Sequence, residues 1–187
     1  MNEVEWVEHV AARLRKQSWL SKQQLCVQTG LKLAYGCEIA TYGSTIDPRV
    51  IRFATDLALT ETTPPERWKP RVVVEAKLGS ITTHDAITYS QKAAVHRAVH
   101  PYLRYGVMLG NRKNHPLPGR LYRHGAQFDF MISFCSETPT GLEMSRLVDV
   151  LKGEVAASKT LEEIMYQSRK PGRRHYTLLH RQLRVAQ

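Results

Sequence analysis

Val72-Val73-Val74-Glu75-Ala76-Lys77 is the stretch that decides the fold. Three consecutive valines favour a buried β-strand, and this one closes on two opposite charges. Side chains two apart on a strand share a face, so Glu75 and Lys77 are neighbours on one side of the sheet. Upstream, a second acid interrupts another apolar run: Asp56 within Ile51-Arg52-Phe53-Ala54-Thr55-Asp56-Leu57-Ala58-Leu59. The turn-rich segment from Glu61 to Pro70 lets the two runs pair as a hairpin or near neighbours, which brings Asp56 towards Glu75. Two such carboxylates can hold a hard divalent cation. A lysine beside them can orient a water or offset charge at a phosphate.

Outward from these strands, the pattern alternates helix and sheet. Val4, Val7, Val10, Ala11 and Leu14 recur at helical spacing, which predicts an amphipathic helix over 3–16. Ser18 or Ser21 can cap a second helix running through Leu25 towards Leu33 or Cys37. Gly43 and Asp47-Pro48 mark a turn before the strand at 51–59. After Gly79, Thr82 or Thr83 can cap a helix over roughly 84–100 that Pro101 stops. Tyr105–Leu109 and Phe128–Phe134 read as further strands, separated by a basic loop from Asn111 to Gly125. Leu142–Val155 and Leu161–Tyr166 read as helices, followed by a basic tail and a short amphipathic piece. The order predicts an α/β fold with a central mixed β-sheet flanked by helices.

The chain has 187 residues, enough for a single domain with a real core. Within it we read N-terminal helices over 1–40, a core over about 41–135, and a helical and basic C-terminal segment over about 136–187. No stretch approaches the roughly 20 apolar residues of a membrane span, and the acidic start Met1-Asn2-Glu3 argues against a secretory signal. Cys26, Cys37 and Cys135 lack metal-ligand spacing and do not form an even disulfide set. A cytoplasmic protein is the expectation. The net charge of +10 favours an anionic polymer such as nucleic acid, bound less tightly as salt rises.

Asp56 in Thr-Asp-Leu-Ala-Leu, Glu75-Ala76-Lys77 and the helix and strand after them resemble the PD-(D/E)xK nuclease superfamily, over residues ~38–110. The resemblance implies a restriction-endonuclease-like core and a Mg2+-dependent DNA endonuclease using one or two ions. It implies Asp56 and Glu75 as metal ligands, and Lys77 as the group that positions or activates the attacking water. Some members add a glutamate from the preceding helix and a polar residue from the following one, places that Glu38 and Gln91 occupy as accessory residues. The sequence departs from the family pattern in lacking a Pro-Asp pair at Asp56. Asp47-Pro48 has the reverse order, which leaves Asp47 as an alternative metal acid. A type II restriction-type enzyme cutting double-stranded DNA as a homodimer is the first reading. A junction-resolving or repair nuclease, or a non-catalytic DNA-binding partner subunit on the same fold, is the alternative.

Lys92, Arg112 and Lys113, with Arg173 and Arg174 in the tail, are the expected DNA contacts. His96 and His100 have the i, i+4 spacing of a helical metal pair, but no third ligand accompanies them, and packing or a phosphate contact is the better reading.

Overall fold

The computed structural model describes residues 1–187 except 168, 169, 173, 175, 181, 182 and 187. Its elements are α1 (Glu3–Arg15), α2 (Ser18–Lys22), β1 (Leu25–Thr29), β2 (Lys32–Glu38), β3 (Arg49–Ala54), β4 (Leu57–Thr63), β5 (Arg67–Leu78), α3 (Thr83–Val99), β6 (Arg104–Gly110), α4 (Gly119–His124), β7 (Phe130–Ser133) and α5 (Gly141–Gln167). A five-stranded mixed sheet has the order β1-β4-β5-β6-β7, and β2 with β3 forms a separate two-stranded ribbon. The protein is therefore α/β, as the sequence pattern predicts.

The valine run lies in β5, at the centre of that sheet. β4 pairs with it antiparallel, with Leu57 opposite Val74, and β6 pairs parallel, with Glu75 opposite Val107. Helix α3 supplies the crossover that a parallel neighbour requires. A strand covered on both faces must be apolar on both, which is why three valines follow one another. Val72, Val74 and Ala76 pack against Trp6, Val7 and Val10 of α1 and Leu147 and Leu151 of α5. Val73 packs on the opposite face with Ala93 of α3, Leu103 and Tyr105. Each fully buried valine contributes roughly 1.5–3 kcal/mol over an exposed one. Glu75 and Lys77 continue the α3 face.

Capping boxes fix where α1 and α3 enter. Asn2 and Glu5 close the start of α1, and Thr82 and Asp85 close the start of α3. At the other end of β5, Arg71 is buried and donates from Nε to Glu61 at 2.6 Å, with Nη2 2.6 Å from Glu162 of α5. Lys69 and Lys159 reach the same two glutamates, so this ion network ties the end of α5 to β4 and β5.

Several sequence expectations need correction. The helix expected from Ser18 or Ser21 through Leu25 is only α2, because Gln24 takes a left-handed φ of 56° and Leu25 and Val27 then alternate inward at strand period. Residues 25–29 and 32–38 are thus strands, and β1 belongs to the core sheet instead of to an N-terminal helical segment. The run at 51–59 is not one strand but breaks at Thr55-Asp56. Thr55 is held by Leu31, whose carbonyl accepts from its N–H at 2.9 Å and from its Oγ1 at 3.0 Å, and β3 turns away to pair with β2. The two C-terminal helices are one, α5, whose stripe of Met144, Leu147, Val148, Leu151 and Val155 runs on through good helix formers. The basic loop also contains a short helix, α4, with Leu121 buried. The described residues of the tail form no helix or strand, so the amphipathic piece expected there has no counterpart among them. No helix among the described residues is long and apolar enough to cross a membrane.

The approach of α1 to the sheet depends on Gly110. A Cβ there would lie 2.5 Å from the Trp6 ring and 2.9 Å from Leu78. Gly110→Ala is expected to lower stability by about 1–3 kcal/mol through overpacking, read as a lower urea midpoint at unchanged slope. An unchanged midpoint would mean that α1 does not seat on β6 in this way.

Candidate active site

The carboxyl end of β5 collects the charged groups that the apolar strand cannot hide. Glu75 is 1% exposed. A carboxylate so buried costs several kcal/mol unless hydrogen bonds and counter-charge offset it. Its Oε1 accepts from the buried Tyr105 hydroxyl on β6 and lies 2.8 Å from the Lys92 ammonium on α3. Tyr105 reaches Glu75 because β6 runs parallel to β5 with Tyr105 opposite Val73, on the face that Val73 and Glu75 share.

Asp56 sits at the bend between β3 and β4, and the β4–β5 register carries it to the same point. Its Oδ2 accepts the Ala76 N–H at 2.8 Å, which aligns it beside Glu75, with the two carboxyl groups in hydrogen-bonding reach of each other. Burial, and then the neighbouring charge of Glu75, push the Asp56 carboxyl up to about 6. The Ala76 N–H and the Lys92 charge only partly oppose this.

Lys77 lies nearer the rim, 28% exposed, with Nζ 3.7 Å from Glu3 Oε2 in the first turn of α1. The same Glu3 oxygen accepts the Leu78 N–H at 3.0 Å. Tyr89 of α3 faces the group as well: Lys92 Nζ is 5.6 Å from its ring centre, and burial with the charges of Asp56 and Glu75 raises its phenol. Two carboxylates, two lysines and a rim glutamate therefore converge where α1, α3 and the ends of β4 and β5 meet.

The two charge clusters on β5 differ in a way that bears on function. Around Arg71, burial opposes the charges of Glu61 and Glu162, yet hydrogen bonds and charge from Arg71, Lys69 and Lys159 hold both carboxyls below their ordinary values. Both of its carboxylates are thus held by positive partners, although Arg71 Nη1 is buried without a hydrogen-bond partner. At Asp56 the balance runs the other way, with one nearby lysine shared between two acids. An acid raised in this way beside a buried carboxylate at the end of a strand marks a functional site better than a charge count does.

The structure brings together Asp56, Glu75 and Lys77, as well as Lys92, which the sequence offered as a DNA contact. It does not bring in Glu38 or Gln91. Glu38 is on a strand, not a helix, and lies exposed at the far end of the β2–β3 ribbon opposite Arg49. That is five residues from Ala54, the residue preceding Thr55-Asp56, or about 17 Å at roughly 3.3 Å per residue. Asp47 is exposed in the loop at the same far end, so Asp56 is the acid beside Glu75. Gln91 is exposed, on the side of α3 away from buried Ala86, Ala93 and His96. His96 and His100 do not form a metal pair: His96 is buried with Nδ1 3.1 Å from the Ala34 carbonyl, and burial lowers both imidazoles.

Arg112 donates to the Gly79 carbonyl at 3.1 Å, so the loop after β6 packs on the turn after β5, and Lys113 beside it is exposed. Arg174 is exposed in the tail with Nε 3.9 Å from Glu163, and Arg173 lies outside the described residues. The residues that sequence reasoning missed are Glu3, Tyr89 and Tyr105. Helical spacing from Lys92 would have found Tyr89, but nothing in the pattern marks Glu3. Among the described residues no cluster of three or more His, Cys, Asp or Glu can hold a metal. The acid pair still suits a hard divalent cation, because Mg2+ takes one or two carboxylates and keeps several waters. The raised carboxyl of Asp56 is also what an added cation would relieve.

The chain matches no protein-family model, and no curated protein matches it in sequence. The site's own chemistry therefore carries the functional reading.

Asp56 has a stability signature. Its folded carboxyl is raised from 3.8 to about 6, so the folded state binds more protons than the unfolded one between those values, and stability falls as pH rises through that window. Asp56→Asn removes the charge and keeps an acceptor for Ala76. Its melting temperature should exceed the wild type's at pH 8, and the gap should shrink towards pH 4. A variant less stable at every pH would contradict this.

Proposed function

We propose that the chain is a Mg2+-dependent endonuclease that hydrolyses phosphodiester bonds in double-stranded DNA, a member of the PD-(D/E)xK superfamily with a restriction-endonuclease-like core. The observation that carries the reading is the half-buried carboxyl of Asp56, at the β3–β4 bend, set within hydrogen-bonding reach of the fully buried Glu75 on β5, with Lys77 two residues on. In this reading Asp56 and Glu75 hold the cation, Tyr105 fixes the Glu75 carboxylate, and Ala76 N–H fixes Asp56. When bound, the cation supplies charge neutralisation at the scissile phosphate. Lys77 lies at the rim, where its ammonium orients the attacking water and offsets phosphate charge. Lys92 adds a second positive charge on the α3 side. Arg112, Lys113, the tail arginines and the net charge of +10 draw the DNA backbone.

Duplex cleavage needs a cut in each strand, so the reading includes a homodimer with one site per chain. A type II restriction-type enzyme is the first form of it, and a junction-resolving or repair nuclease is the second. A non-catalytic binding subunit has one observation in its favour, the ammonium of Lys92 already seated on Glu75.

Purified protein incubated with mixed-sequence duplex DNA and Mg2+ should give discrete fragments that disappear with EDTA. Glu75→Ala should lower cleavage at least about a hundredfold while DNA binding persists and weakens with salt. Binding without cleavage on linear and branched substrates alike would overturn the nuclease reading in favour of the binding subunit.

A further inference from the structure

The proposed function uses Lys92 only as a second positive charge, yet its ammonium sits against Glu75 itself. Its ammonium is 2.8 Å from Glu75 Oε1 and 3.3 Å from the carbonyl of Ala54, two residues before Asp56. It thus bridges the strand that carries one acid and the bend that carries the other. Lys92 is 18% exposed and Glu75 1%, so little water separates the charges. The Lys92 charge also acts directly on Asp56.

We infer that Lys92 is a tethered counter-ion that occupies the acid pair in the metal-free chain and competes with the divalent cation for it. The inference rests on the nuclease reading of the same site. A chain that sets a half-buried carboxylate beside a fully buried one needs positive charge there, and the lysine on α3 supplies it without metal. A cation on the same carboxylates must displace the ammonium, because two positive centres within a few ångströms of one oxygen repel strongly in a desolvated site. Lysine suits exchange of this kind. Its charge rides on a flexible four-carbon stem and can swing clear without backbone movement. A phosphate at the rim would accept the released ammonium, so metal and DNA should each strengthen the binding of the other.

The test is Mn2+ binding, followed by the loss of the free-ion electron paramagnetic resonance signal, in DNA-free protein. Lys92→Met should bind Mn2+ ~10-fold or more tightly than wild type, the scale of one nearby charge acting on a carboxylate. Lys92→Arg, which keeps the charge, should stay near wild type. If the methionine variant does not fold, Lys92→Gln keeps a donor towards Glu75 without the charge and should show the same tightening. Glu75→Gln should abolish the binding in either background. Glu75-dependent binding that is no tighter without the Lys92 charge would overturn the counter-ion role and leave the metal site standing. No Glu75-dependent binding in any variant at millimolar Mn2+ would overturn both.

Discussion

A buried carboxylate, Glu75, with a second, half-buried acid, Asp56, set against it at the end of an apolar strand is the constraint on which the rest of this structure depends. Water stabilises a carboxylate far better than a protein interior does, so such a pair persists only where the surrounding fold holds it. Here each neighbour has a part. The β4–β5 register presents the Ala76 N–H to Asp56, β6 brings the Tyr105 hydroxyl to Glu75, and α3 brings Lys92. The valines of β5 give that arrangement a rigid floor, because both of their faces are packed. Removing any one of these supports leaves a buried acid with a poorer partner.

The same strand shows what a settled arrangement looks like. At its other end Arg71 is surrounded by two glutamates, and two lysines complete the network, so the carboxyls stay ionised at low cost. Asp56 lacks that balance. Local strain of this kind lowers stability where function needs a poised group, and the packed sheet supplies the margin that tolerates it. The position also fits the general preference of α/β sheets for sites beyond the carboxyl ends of their strands.

How much of this was legible in the sequence varied with the range of the interaction. The β5 strand and the start of α3 follow from local pattern: three valines, and Thr82 and Thr83 ahead of the helical run, of which Thr82 is the cap. The meeting of Asp56 with Glu75 followed from two runs joined by a turn. The break at Thr55-Asp56 was not legible, because it depends on hydrogen bonds to Leu31, far back in the chain. The sequence 18–37 was misread for a similar reason. Its apolar residues suit either period, and only the left-handed turn at Gln24 and pairing of β1 with β4 decide it. Glu38 and Gln91 were chosen by position relative to the motif, and Glu38 failed with the helix on which its choice depended. Gln91 failed although the helix was right, because one residue along α3 turns a side chain by 100°. Lys92, the next residue, is the one that meets Glu75.

The central claim is that Asp56 and Glu75 form one poised acid pair suited to a divalent cation. The most direct measurement is a carbon-detected nuclear magnetic resonance titration of the Asp56 carboxyl, with and without Mg2+. The account expects an apparent value near 6 in the metal-free protein, moving down when Mg2+ is added and failing to move in Glu75→Gln. A carboxyl that titrates at an ordinary aspartate value and ignores Mg2+ would contradict it.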